Sequence, residues 1–103
     1  EMFIKLEQIR ALFIRSIHEI KVNPEKSARQ RAYASQFTTM EGAVDICRLA
    51  IRTCGGRSML KTFPLERMYR DARCGSLMYP WTAETCLDRL GRETLYEKGE
   101  SDD

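Results

Sequence analysis

The stretch between Pro24 and the Gly55-Gly56 pair constrains the fold more than any other part of this chain. Its apolar residues fall at Tyr33, Phe37, Met40, Val44, Cys47, Ile51 and Cys54, in steps that alternate between four and three. That spacing keeps one face of a 3.6-residue helix apolar and predicts a helix over residues 27–54. Ser27-x-x-Gln30 has the form of a capping box at its start, and Gly55-Gly56 offers the left-handed backbone that closes a helix at its end. Gly42 lies inside the pattern at a cost of about 1 kcal/mol relative to alanine. It reads as a close helix–helix contact rather than a break. A helix this long spans roughly 40 Å. Helices of that length belong to bundles.

The rest of the sequence supplies the neighbours. Residues 2–22 carry a stripe at Met2, Leu6, Ile9, Phe13, Ile17 and Ile20, widened by Phe3, Leu12 and Ile14, so this helix is expected to meet more than one partner. Asn23-Pro24 ends it, because proline disfavours helical geometry in the residue before it. After a loop, Pro64 suits the first position of a third helix with Leu65, Met68, Tyr69 and Ala72 on its apolar face. Glu66 and Arg70 form an i,i+4 pair in the favourable order. Cys74-Gly75-Ser76 is expected to loosen that helix, and Tyr79-Pro80-Trp81-Thr82 to break the chain. A short fourth helix follows with Ala83, Leu87 and Leu90, ended or kinked by Gly91. From Glu97 the residues are polar and acidic, a tail expected to lack order. No internal repeat and no strand-like alternation is present. The fold class is therefore all-α, an antiparallel up-and-down helical bundle over residues 1–96 with a tail at 97–103.

Composition narrows the function classes. A chain of 103 residues makes one domain, too small for a cofactor domain plus a substrate domain. No apolar run approaches the roughly 18–20 residues of a membrane span, and no secretory leader is visible. The opening Glu1-Met2-Phe3-Ile4-Lys5 already reads as amphipathic helix, which suggests a truncated N-terminus. Cys47, Cys54, Cys74 and Cys86 show no CxxC spacing, and Cys47 and Cys54 lie about 10 Å apart along one helix, too far for a disulfide. With His18 the single histidine, no metal site is expected, and the thiols read as reduced and buried in a cytoplasmic protein. The net charge of +2 is too small to announce nucleic acid. Its distribution says more: Arg48, Arg52, Arg57, Lys61, Arg67, Arg70 and Arg73 face only Glu66 and Asp71 within residues 48–73. Such an excess points to an anionic ligand near the middle of the chain, against the plainer reading of a solvated basic face.

Gly55-Gly56, then Pro64-Leu65-Glu66-Arg67-Met68-Tyr69-Arg70-Asp71-Ala72-Arg73, then Trp81-Thr82-Ala83-Glu84 together resemble the C-terminal signature of the acyl-CoA dehydrogenase family. There a long helix ends in Gly-Gly, the next carries Pro-x-Glu-Lys/Arg-x-x-Arg-Asp-Ala-Lys/Arg, and a Gly-Thr-small-Glu/Gln turn opens the last. Tyr33-Ala34-Ser35 near the start of the long helix also resembles the family. The resemblance implies a C-terminal four-helix bundle whose first helix, with two further domains, would precede residue 1. A bundle lacking one helix leaves an apolar face that must find a partner, so self-association into a homodimer or homotetramer is implied.

The resemblance also implies a cofactor, FAD. Gly55 and Gly56 would let backbone approach the adenosine diphosphate part of an FAD held by a neighbouring subunit. Arg52 stands where the family usually has glutamine and would pair with a phosphate. Thr82 and Glu84 match the turn that meets the flavin's phosphate and ribose region, and Arg70 with Asp71 would tie the bundle together. The full-length protein would oxidise an acyl-CoA to the enoyl-CoA, whereas the isolated fragment would be inactive. No catalytic residue is visible, because the family's glutamate position falls on Tyr79 or Pro80, and Trp81 replaces the usual glycine. A flavin-dependent monooxygenase or oxidase on the same scaffold is one alternative. A non-enzymatic helical adaptor, its basic middle recruiting an acidic protein, is the other.

Overall fold

The computed structural model describes residues 1–96, which form α1 (Met2–His18), α2 (Lys26–Cys54), a 3-10 turn (Gly55–Met59), α3 (Leu65–Leu77) and α4 (Ala83–Leu95), with no strand among them. The tail expected from Glu97 lies outside the described residues. α2 is the axis of the molecule, and α1, α3 and α4 each pack along it. α3 runs back beside α2, since Gly75 lies against Met40 and Arg73 stands 4.0 Å from Glu41. α4 continues in the same direction as α3 and covers the first turns of α2. Its entry is marked by Trp81 on Tyr33, with ring centres 5.7 Å apart, and its exit by Glu93 on Arg29. The all-α antiparallel bundle is thus present.

Two predicted features of α2 survive and one does not. Tyr33, Phe37, Met40, Val44, Cys47 and Ile51 are half-buried or buried, as their spacing requires; Cys54 alone of that stripe is exposed. Gly42 does mark a close crossing, because a Cβ there would lie 2.6 Å from Ile9 Cδ1. The capping box is absent. The helix starts at Lys26 with Glu25 as its cap and no side-chain cap bond, while Gln30 donates across to Thr94 Oγ1 at 3.3 Å. A partner on α4 draws this side chain away from the backbone.

α1 departs furthest from its sequence reading. The face it sets on α2 is Met2, Lys5, Ile9, Leu12, Ser16 and Glu19, all half-buried. Of the predicted stripe only Met2 and Ile9 belong to it. Phe3 is 72% exposed and Ile20 78%, and Leu6, Phe13, Ile14 and Ile17 also face outward. The physical reason lies in α2's surface. Asp45 takes Lys5 at 3.6 Å, Arg31 takes Glu19 at 2.8 Å, and Gly42 makes room for Ile9. Charge and shape on α2 therefore fix the rotation of α1, and its greasiest face is left outside.

The interior is correspondingly thin. Val44, Ala83 and Cys86 are the buried apolar side chains among the described residues, joined by Ser35, Ser58 and Ser76. Small residues there let the helices approach closely. α3 continues through Gly75 to Leu77 rather than loosening at residues 74–76, because the missing Cβ is what admits the Met40 side chain. α4 likewise passes through Gly91, with Cys86 wholly buried and Leu87 turned outward. The thiols are not uniformly buried: Cys54 and Cys74 are exposed.

Candidate functional site

The end of α2 is shaped by two glycines with different reasons for being there. Gly55 has φ 76° and ψ −157°, a backbone region open essentially to glycine alone. It swings the chain out of α2 into the 3-10 turn, which Ser58 Oγ pins by donating to the Gly55 carbonyl at 2.6 Å. Gly56 has no such need. Its φ is not positive, and a Cβ built on it would meet nothing within 4 Å. The fold therefore leaves the backbone of Gly56 bare without requiring it. Arg52, one turn earlier, is exposed and complements the negative end of the α2 dipole.

The basic middle resolves into two groups. Arg48, Arg70 and Arg73 have carboxylates within 4.0 Å, at Asp45, Glu66 and Glu41. Arg52, Arg57, Lys61 and Arg67 have none that close among the described residues, and all four are exposed around the 3-10 turn and the start of α3. Four unneutralised cations beside a bare glycine backbone make a surface suited to an anion. Arg70 and Asp71 do not tie the bundle together. Arg70 pairs with Glu66 on its own helix at 3.1 Å, and Asp71 is exposed.

Thr82 and Glu84 sit at the other end of the molecule. Thr82 caps α4, its hydroxyl accepting from the Thr85 N–H at 3.1 Å and donating to Thr85 Oγ1 at 3.0 Å. The hydroxyl's first duty is thus to the helix. Glu84 is exposed in the first turn, near the positive end of the helix dipole. Tyr79 is 89% exposed, and Trp81 folds back on Tyr33 to wall a cleft of about 320 Å³ with Ile20, Pro24 and Ala28.

The structure therefore brings Arg52, Gly55 and Gly56 together, brings Thr82 and Glu84 together, and keeps the two sets apart. Trp81 touches α2 at Tyr33, and from there to Gly55 the helix runs about 33 Å at 1.5 Å per residue. The turn that holds Tyr79 and Pro80 contains no carboxylate.

One pair escaped the sequence reading. Arg29 forks onto Glu93, Nε to Oε1 and Nη2 to Oε2 at 3.0 Å each, and its Nη1 donates to the Pro24 carbonyl at 2.9 Å. Lys26 Nζ adds a bond to the Tyr96 carbonyl at 3.1 Å. The Arg29 hydrogen bonds hold the Glu93 carboxyl below its usual range, and Glu93 in turn raises the guanidinium. Burial pushes the Cys47 and Cys86 thiols up, away from the reactive thiolate form. No periodicity could reveal a pair 64 residues apart. It positions α4, and with it Thr82 and Glu84.

Among the described residues no cluster of three potential metal ligands exists, and no helix is long and apolar enough to cross a membrane. No curated protein and no solved structure matches the chain. Residues 1–93, from the start of α1 almost to the end of α4, match the family model described as acyl-CoA dehydrogenase, C-terminal domain. With its helical architecture and the Gly-Gly and Arg-Asp-Ala-Arg motifs in place, the chain belongs to the acyl-CoA dehydrogenase family as a C-terminal helical domain.

Proposed function

We propose that this chain completes FAD sites across a subunit interface and helps assemble the oligomer of an acyl-CoA dehydrogenase-like oxidoreductase. The observation that carries the reading is the separation of the two candidate clusters along α2. A pyrophosphate is only a few ångströms long, so Arg52, Gly55 and Gly56 cannot hold the same one as Thr82 and Glu84 of the same chain. Each chain then serves two cofactors, one through each end. That arrangement requires a second copy.

The residues fit the group they would hold. Gly56 presents backbone that a side chain would cover, and Arg52, Arg57, Lys61 and Arg67 supply unneutralised positive charge. Arg52 takes a phosphate in place of the family's glutamine. At the other end, Glu84 accepts from a ribose hydroxyl, and Thr82 orders the α4 terminus whose free N–H groups favour phosphate. Bound FAD would supply the hydride acceptor for oxidation of an acyl-CoA thioester. This chain's part is to hold and orient.

The test is complementation in the assembled protein. Gly56→Leu blocks one cluster and Glu84→Lys the other, neither disturbing a contact of the fold. Homo-oligomers of either variant should lose FAD binding at least about tenfold. Oligomers mixed from the two should regain a fraction of full-affinity sites, because some interfaces then combine two intact halves. No recovery on mixing would overturn the shared site.

The turn around Tyr79 favours a second reading of the chemistry. Removing a proton α to a thioester requires a base, and Tyr79, Pro80 and Trp81 offer none. Monooxygenation on the same scaffold removes no α-proton and needs no carboxylate there. Product analysis of the parent protein with an acyl-CoA would separate the two, an enoyl-CoA supporting dehydrogenation by a base from elsewhere in the protein.

A further inference from the structure

We infer that Ser58 is a positioning residue of the proposed flavin cluster: its buried hydroxyl draws the Gly55 carbonyl inward, which turns the Gly56 N–H outward as a donor to a phosphate oxygen. The inference rests on the cofactor reading above and names the group that prepares this end of α2 for an anion.

The obstacle to such an anion is α2 itself. The last carbonyls of a helix have no intrahelical partner, and together they carry about half a negative charge. A phosphate beside the C-terminal end of α2 is opposed by that charge. Arg52, Arg57, Lys61 and Arg67 offset it, but each reaches the anion on a long, exposed side chain. A backbone donor at the same place needs no such ordering once the chain is folded.

The peptide joining Gly55 to Gly56 is the one that leaves the helical alignment. α2 closes with the Gly55 N–H on the Ile51 carbonyl, and at Gly55 ψ turns to −157°. That lies roughly 115° from the helical value of about −42°, so the Gly55 carbonyl no longer follows the α2 axis. Ser58 fixes where it goes instead. The Ser58 side chain is 0% exposed, and its hydroxyl donates to the Gly55 carbonyl at 2.6 Å, with the Ile51 carbonyl 3.5 Å away. Tyr79-Pro80 is the one cis bond among the described residues, so the Gly55–Gly56 peptide is trans. In a planar trans peptide the C=O and N–H point in opposite directions. A carbonyl held inward by a buried hydroxyl therefore leaves the Gly56 N–H facing out. Among the described residues no backbone bond joins that N–H to a carbonyl of α2. With no Cβ beside it and open space around it, a phosphate oxygen can come within hydrogen-bond distance. Backbone N–H bonds to an ionised oxygen are among the stronger kind.

Flavin titrations of the apo form of the parent oligomer test this, each variant being assayed at a temperature where circular dichroism shows it folded. Ser58→Ala should weaken FAD binding about tenfold and leave riboflavin, which carries no phosphate, within about twofold. Val44→Ala, an interior change in the middle of α2, should lower the melting temperature at least as much and leave both affinities alone. In a Gly56→Leu background Ser58→Ala should cost nothing further, because the backbone it orients is then covered. Equal losses for FAD and riboflavin, or losses that add in the double variant, would overturn the positioning role. So would an unchanged FAD affinity in Ser58→Ala beside a lost one in Gly56→Leu, and the cofactor reading would then stand without it. An FAD affinity untouched by Gly56→Leu would overturn the cofactor reading, and this inference with it.

Discussion

Substituting alanine at Gly55 and at Gly56 separates a glycine demanded by the fold from one the fold merely permits. At Gly55 the φ of 76° with ψ −157° lies where any side chain is strained by about 1–3 kcal/mol. Alanine also narrows the unfolded ensemble, a gain of about 0.4–1 kcal/mol, so the net loss should be about 1–2 kcal/mol. In a domain of this size that lowers the melting temperature by about 5–15 °C. At Gly56 the strain is absent and an added Cβ meets nothing, so only the gain remains. Gly56→Ala should melt at the same temperature as the wild type or a few degrees above it. Thermal melts followed at 222 nm read both. Equal melting temperatures for Gly55→Ala and wild type would refute the backbone argument. A clear loss in Gly56→Ala would show that its surroundings are not open, and with that the claim of a bare backbone held for a ligand would go.

Three further outcomes follow from the packing. Thr82→Ala removes the acceptor for the Thr85 N–H and should cost about 1 kcal/mol, whereas Thr82→Ser should retain most of the stability; chemical denaturation distinguishes them. Because Arg29 holds the Glu93 proton affinity below its unfolded value, the wild type's stability advantage over Glu93→Gln should be complete above about pH 4.3 and shrink as the pH falls through the folded value; a melting-temperature series against pH checks the direction, and an advantage that grows in acid would contradict it. Gly75→Ala drives a Cβ into Met40 Sδ, near the flexible end of that side chain, while alanine gains about 0.5–1 kcal/mol inside α3, so the net loss should stay below about 1 kcal/mol; Met40→Ala in the same chain should turn it into a gain, and the two changes should be non-additive in denaturation.

What could be read from the residues alone was whatever depends on spacing along one helix. The α2 stripe, the role of Gly42, the stop at Gly55 and the Glu66–Arg70 pair all follow from local periodicity, and the fold class with them. What could not be read was orientation between helices. The rotation of α1 is set by Asp45, Arg31 and the gap at Gly42, none of which is visible within α1 itself. The same limit applies at Gly75 and Gly91, where glycine marks a close contact or open space rather than a helix end. At the candidate site, motif order identified Arg52, Gly55, Gly56, Thr82 and Glu84, but their division between opposite ends of α2 is a three-dimensional property. The Arg29–Glu93 fork that sets α4 in place left no trace in the pattern, because it joins side chains from opposite ends of the chain.

The central claim is that one chain serves two cofactors. A structure of the parent oligomer with FAD bound measures it most directly. The backbone of Gly55 and Gly56 from one subunit should lie against the diphosphate of a flavin whose other contacts include Thr82 and Glu84 of the partner subunit. Glycines facing open water, with no cofactor beside them, would contradict the account.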